Sequence, residues 1–281
     1  MDLVRDLPIF SVHMAAEKTI IQLYTEHEHS FIKHLKRAKN LEEKEVHKLR
    51  VEIKNLRVLF EFLQALTEKD FKFRGLLKLL KPVFKKAGGI RTAQLNLTLS
   101  RPYRSATMLR FREYLREQEK KTSRRFLKYI KTFDTEKLEK LHKKNLKAIK
   151  KFKPGSIETD SESYIRNILA KIRTAMFDVN KDRVLHEIRK HLKTIKNMGR
   201  LLKKLKLSPF MQGEIKKIAL TYDKIGKWHD DLMLADTFEN YILKKDVPET
   251  REKALAFVLT LREKNEKAKL LLIKKLRVEF V

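Results

Sequence analysis

Val46-His47-Lys48-Leu49-Arg50-Val51-Glu52-Ile53-Lys54-Asn55-Leu56-Arg57 is echoed in the second half of the chain by Leu185-His186-Glu187-Ile188-Arg189-Lys190-His191-Leu192-Lys193-Thr194-Ile195-Lys196. Both segments read H-x-x-R-x-x-x-K-x-x-[R/K]. At about 100° per residue, the offsets return the four polar heads to one stripe, narrower than a third of the helix circumference. Leu49, Ile53, Leu56, Phe60 and Leu63 fall on an adjoining apolar face, as do Ile188, Leu192, Ile195 and Leu202. Each segment therefore predicts an amphipathic helix, seated in a core and presenting a row of cations about 15 Å long. Such a row suits a polyanion.

The composition agrees with helices throughout. Of 281 residues only 7 are glycine and 6 proline, while 42% are hydrophobic, enough for a substantial core. Leucine, lysine and glutamate recur at helical spacing, and strand-like alternation is hard to find, so the expected class is all-α. Lysine and arginine number 66 against 36 acidic residues, a formal net charge of +30. Self-repulsion of that size is relieved by an anionic partner, which the same charge draws in. The absence of cysteine removes disulfides, zinc thiolates and thiol chemistry. Residues Met1 to Pro8 show no secretory pattern, and apolar runs such as 254–261 fall well short of the ~20 residues that span a bilayer. The expected location is cytoplasmic, with no membrane partner.

Periodicity predicts helices over 14–38, from an Asn40 N-cap to about 66, 71–87, 103–131, 135–151, 160–177, 181–204, 208–224, 229–245 and 249–278. Gly88-Gly89 and Gly226 read as interruptions, with an irregular stretch from Gly88 to Pro102. The strongest break is Lys153-Pro154-Gly155-Ser156, which leads into a segment briefly without positive charge. On either side the element order is similar. This predicts one compact domain over 1–281, built from two halves, 1–153 and 157–281. Each half is expected to be an antiparallel bundle of about four helices, the two related by an approximate twofold axis. A second pair of segments supports duplication: Gly88-Gly89-Ile90-Arg91-Thr92-Ala93-Gln94-Leu95 aligns with Gly226-Lys227-Trp228-His229-Asp230-Asp231-Leu232-Met233 at nearly the same offset as the histidine helices.

With these residues in place the chain resembles the CHAD family, the conserved histidine α-helical domain. The resemblance rests on 46–57, its weaker copy at 185–196, and the G-x-x-H-D-D-L element at 226–232. It implies binding of inorganic polyphosphate through basic helix faces and association with polyphosphate granules. Carried over, the binding set is His47, Arg50, Lys54 and Arg57, with His186, Arg189, Lys193 and Lys196. Arg200 extends the second stripe by a turn. Arg91 and His229 stand in the glycine elements, and Lys85 and Lys86 widen the surface. Thr92 stands where the second half has Asp230, and Glu61 where it has Arg200. From these differences the His186 helix is expected to contribute at least as much as the His47 helix.

Other chemistries fit less well. His186 and His191 resemble a zinc-protease pair but stand five residues apart, about 140° around the helix, so they cannot share a metal on one face. His229-Asp230-Asp231 could recruit Mg²⁺ to a phosphate chain, yet capping or salt bridging suits it better. No glycine-rich phosphate loop follows Gly88-Gly89, and clustered carboxylates are missing, so neither catalysis, a metal site nor a cofactor is expected. A nucleic-acid binder is the main alternative, since +30 would hold DNA or RNA nonspecifically at low salt. The stripes themselves carry no aromatic residue for base stacking. A metal-dependent enzyme acting on polyphosphate is the lesser alternative. Protonation of His47 and His186 is expected to strengthen anion binding as pH falls toward 6.

Overall fold

The computed structural model describes residues 7–66, 73–150, 157–205, 212–244 and 251–280. Among these, every regular element is a helix: α1 (Leu7–Arg37), α2 (Glu43–Leu66), α3 (Phe73–Ser100), α4 (Ala106–Lys131), α5 (Thr135–Lys150), α6 (Ile157–Ala175), α7 (Asp182–Lys204), α8 (Gln212–Lys244) and α9 (Arg251–Phe280), with short 3₁₀ turns at Ala38–Asn40 and Met176–Asp178. The all-α expectation holds. The break expected at 153–156 lies outside the described residues.

The two histidine helices form where their periodicity places them. On α2 the residues Leu49, Ile53, Leu56, Phe60 and Leu63 are all buried, and on α7 so are Ile188, Leu192 and Ile195. The apolar face of α7 continues through Met198, Leu201 and Leu205. Leu202, expected on that face, is only half-buried. Asn40 is not the N-cap of α2: it closes the 3₁₀ turn, Leu41 takes a left-handed backbone (φ 62°), and α2 starts at Glu43 with Glu43 and Glu45 in its first turn. Those carboxylates oppose the positive end of the helix. Elsewhere caps follow the usual chemistry. Ser105 Oγ accepts from the Met108 N–H ahead of α4, and Asp134 Oδ1 accepts from the Lys137 N–H ahead of α5.

Neither glycine motif interrupts a helix. α3 runs straight through Gly88-Gly89 to Ser100, and α8 through Gly226 to Lys244. A mid-helix glycine costs about 1 kcal/mol relative to alanine, so something must offset it at these positions.

The chain divides into two compact units that cut across the sequence halves. Unit 1 comprises Met1–Gly88, Arg124–Asn167 and Asn197–Gln212, and unit 2 comprises Gly89–Ser123, Ile168–Lys196 and Gly213–Val281. Within unit 1, Tyr24 meets Phe60 edge-on at 5.7 Å, stacks on His142 at 5.1 Å, and its hydroxyl accepts from Asn145 Nδ2. A buried pair, His34 Nδ1 and Glu45 Oε2 at 2.7 Å, ties α1 to the first turn of α2. Unit 2 is centred on aromatic side chains: Phe111 packs T-shaped on Phe238 at 4.9 Å, beside Met108, Leu115, Tyr241 and Val258. Arg112 Nη1 donates to the carbonyls of Ser100 and Tyr103, holding the α3–α4 turn, and Arg262 joins α9 to α8 through Asp236 and Glu239.

Candidate anion-binding site

Three cations of the first stripe converge on one ring. Arg50, Lys54 and Arg57 leave α2 on successive turns and lie over the face of Phe84 on α3. The guanidinium carbons stand 4.1 Å (Arg50) and 5.6 Å (Arg57) from the ring centroid, and the Lys54 ammonium 5.7 Å. Cation–π contacts of this kind contribute about 0.5–2 kcal/mol each. Arg50 Nη1 also donates to the Phe84 carbonyl at 2.7 Å. His47 is exposed one turn earlier.

Gly88, one turn beyond Phe84, is what lets the arginine in. A Cβ there would stand 2.6 Å from Arg50 Nη1. The glycine is therefore an opening in the helix surface for a guanidinium, and the stacking and hydrogen bond of Arg50 offset its propensity cost. Gly88→Ala should accordingly leave thermal stability within about 1 kcal/mol of the parent, because better helix propensity offsets the lost hydrogen bond. It should still displace Arg50 and weaken anion binding. Denaturation and binding titrations of that one variant separate the two effects.

The second stripe repeats the arrangement in unit 2. Tyr222 stands four residues before Gly226 as Phe84 stands four before Gly88. Arg189 and Lys196 lie over the Tyr222 ring at 5.4 and 4.7 Å, and a Cβ on Gly226 would stand 3.3 Å from Arg189 Nη2. Lys193 is half-buried between them in sequence. In each stripe one arginine has a buried Nε without a hydrogen-bond partner, Arg57 in the first and Arg189 in the second. Stacking, not hydrogen bonding at Nε, places these side chains.

The copies differ at one decisive position. Lys85, exposed beside Phe84, is replaced by Asp223 beside Tyr222. The Asp223 carboxylate accepts from Lys196 Nζ at 2.9 and 3.2 Å. An acid thus sits within the second stripe where the first has a base.

The remaining expected residues scatter. His229 lies in the second stripe's surroundings, its ring centroid 4.9 Å from that of His186. Lys86 turns toward Tyr129, its ammonium 5.3 Å from that ring. Arg91 is half-buried on the part of α3 that belongs to unit 2, whereas His47 belongs to unit 1. Arg200 is exposed, belongs to unit 1, and lines a cavity with residues of α1 and α2. Among the described residues no three His, Asp or Glu side chains gather as a metal site.

Of the two histidines expected to protonate readily, His186 is shifted the other way, as is its neighbour His229. Burial holds the His229 imidazolium down to about 4, reinforced by the Arg189 charge and by His186. Burial, then Lys190 and Arg189, lower His186 below the usual histidine range. His229 is therefore neutral at pH 6.

The rings of Phe84 and Tyr222 are the residues that sequence reading missed. A single aromatic at helical spacing looks like core. The usable signal was its recurrence four residues before both glycines. The model of the CHAD domain family matches residues 22–274. The chain belongs to the CHAD family. A crystal structure of the CHAD domain from the plant Ricinus communis superposes with a TM-score of 0.69 at 13% identity, over 94% of this chain and 91% of that one. A likeness at that identity shows the CHAD helical fold. No curated protein matches the chain. Among the described residues, no helix of this CHAD protein is long and apolar enough to cross a membrane.

Proposed function

We propose that this CHAD protein binds inorganic polyphosphate along its two cationic stripes, without chemical turnover, and that this binding can place it on polyphosphate granules. The observation that carries the reading is the duplicated seat: a helix row of arginine and lysine spread over an aromatic ring beside a glycine, once in each unit. Polyphosphate is a repeating anion without bases or apolar parts, and rows of guanidinium and ammonium groups match its oxygens directly. Binding releases counterions and weakens steeply with salt. A long chain offers segments to both stripes, so the second engagement gains from the first.

Nucleic acid fits this surface less well. Base stacking needs open aromatic faces, and both rings here are occupied by cations. The deciding experiment is competition at equal phosphate concentration. Long-chain polyphosphate is expected to displace duplex DNA and single-stranded RNA from the protein; displacement in the opposite direction sinks the reading. Incubation with polyphosphate and Mg²⁺ tests turnover, and release of phosphate would replace binding by hydrolysis.

The half-buried histidines His186 and His229 set the pH response. A bound polyanion favours the protonated imidazolium, so the pKa of His229 and His186 is higher in the complex than in the free protein. Affinity therefore rises as pH falls through the bound value, and levels off below the free value, about 4 for His229. The expected tightening lies between roughly pH 6.5 and 4, below the range first expected, and His229→Gln should flatten it. Titrations across that interval check the sign.

A further inference from the structure

A cavity of about 180 Å³ lies within unit 1, lined by residues of α1, α2 and the last turns of α7. None of His47, Arg50, Lys54 or Arg57 lines it. Its wall is divided by chemistry. Leu23, Val58, Leu59 and Leu201 supply apolar surface, His27 and Asn55 line it from α1 and α2, and Asn197, Arg200 and Lys204 stand together on one face of α7, three and seven residues apart. Asn197 Nδ2 is buried and has no hydrogen-bond partner. That nitrogen is sealed from the open space, so the polar groups this face offers a ligand are the exposed Arg200 and Lys204. Arg200 has no ion-pair partner among the described residues, and Lys204 has only a loose, exposed contact with Glu26 at 3.9 Å. On the α1–α2 side Glu52 is engaged by His27 at 2.9 Å.

We propose that this cavity binds a small carboxylic acid with an apolar body. Two cations on one helix face, Arg200 and Lys204, match a carboxylate, with the guanidinium able to take both oxygens. An apolar cavity of roughly 150 Å³ accepts a benzene ring, so 180 Å³ has room for one ring or a branched chain of similar size beside the acid group. Inorganic phosphate chains would leave the leucines uncovered. A wholly apolar molecule would leave Arg200 and Lys204 unanswered. The site rests on its own geometry and stands whether or not the stripes bind polyphosphate. It also gives Arg200 a role besides the stripe it was expected to extend.

Phenylacetate is a suitable probe, titrated into the full chain by calorimetry and by ligand-observed NMR, with acetate and benzylamine alongside. The expected result is one saturable phenylacetate site per chain, with acetate and benzylamine much weaker. Arg200→Gln, a change at an exposed side chain, should weaken phenylacetate by about tenfold, the loss of one charge-assisted hydrogen bond. The same variant should keep its thermal stability. The proposal is overturned by the absence of saturation at millimolar phenylacetate, by equal binding of acetate or benzylamine, or by an unchanged titration of Arg200→Gln. Stoichiometric displacement of phenylacetate by polyphosphate would also overturn it, since the acid would then be reading only the basic surface.

Discussion

Replacing Arg50 and Arg57 together by alanine should lower affinity for long-chain polyphosphate by about a hundredfold. Each arginine supplies charge-assisted contacts to phosphate, contributing about 1.5–3 kcal/mol, and the second stripe remains as a floor. The proper control is a pair of exposed lysines, Lys264 and Lys267, which removes the same charge. Arg262 does not serve, because it joins α9 to α8 through Asp236 and Glu239. If the lysine pair costs as much as the arginine pair, net charge alone governs binding and the stripe has no special standing. Unfolding should be checked in parallel, since Arg50 also stacks on Phe84 and bonds its carbonyl.

Asp223→Lys should act in the other direction, raising polyphosphate affinity by about tenfold. The change puts into the second half the residue that the first half carries as Lys85, removes the carboxylate that engages Lys196, and adds a cation. The salt dependence should steepen, because more counterions are released per bound chain. Little stability is at stake: Asp223 is 61% exposed, and an exposed pair contributes about 0–1 kcal/mol. A variant that binds no tighter than the parent would show that Lys196 already meets phosphate despite its partner. The same reasoning reverses the expectation drawn from Arg200 and Glu61. With Asp223 inside the second stripe, the His47 helix is expected to be the stronger partner.

Much of this was legible in the residues alone. The apolar period of 182–204 located α7 closely, because a helix half in the core must repeat its hydrophobes every three or four residues. The charge stripe followed from the same period. Gly88 and Gly226 were misread because their cost is local and visible, whereas the compensation comes from arginines on other helices; Gly89 faces Thr122 instead. Asn40 was misread for a related reason: a good capping residue was present, but the left-handed Leu41 moved the helix start to Glu43. Phe84 and Tyr222 went unnoticed because a ring that seats cations obeys the same spacing as a ring that fills a core. The partition into units was not readable at all, since its boundaries fall within helices such as α3 and α7 whose periodicity does not change there.

The ring beneath each stripe also changes the thermodynamics of capture. A lysine or arginine side chain free in solvent holds about 2 kcal/mol of rotamer entropy, which ordinary surface binding must surrender for every contact. Here Arg50, Lys54, Arg57, Arg189 and Lys196 are already drawn onto Phe84 or Tyr222 before any anion arrives. Part of the ordering has been done during folding, so under the proposed function a flexible phosphate chain would meet a stiff array, and most of the disorder lost on binding would be its own.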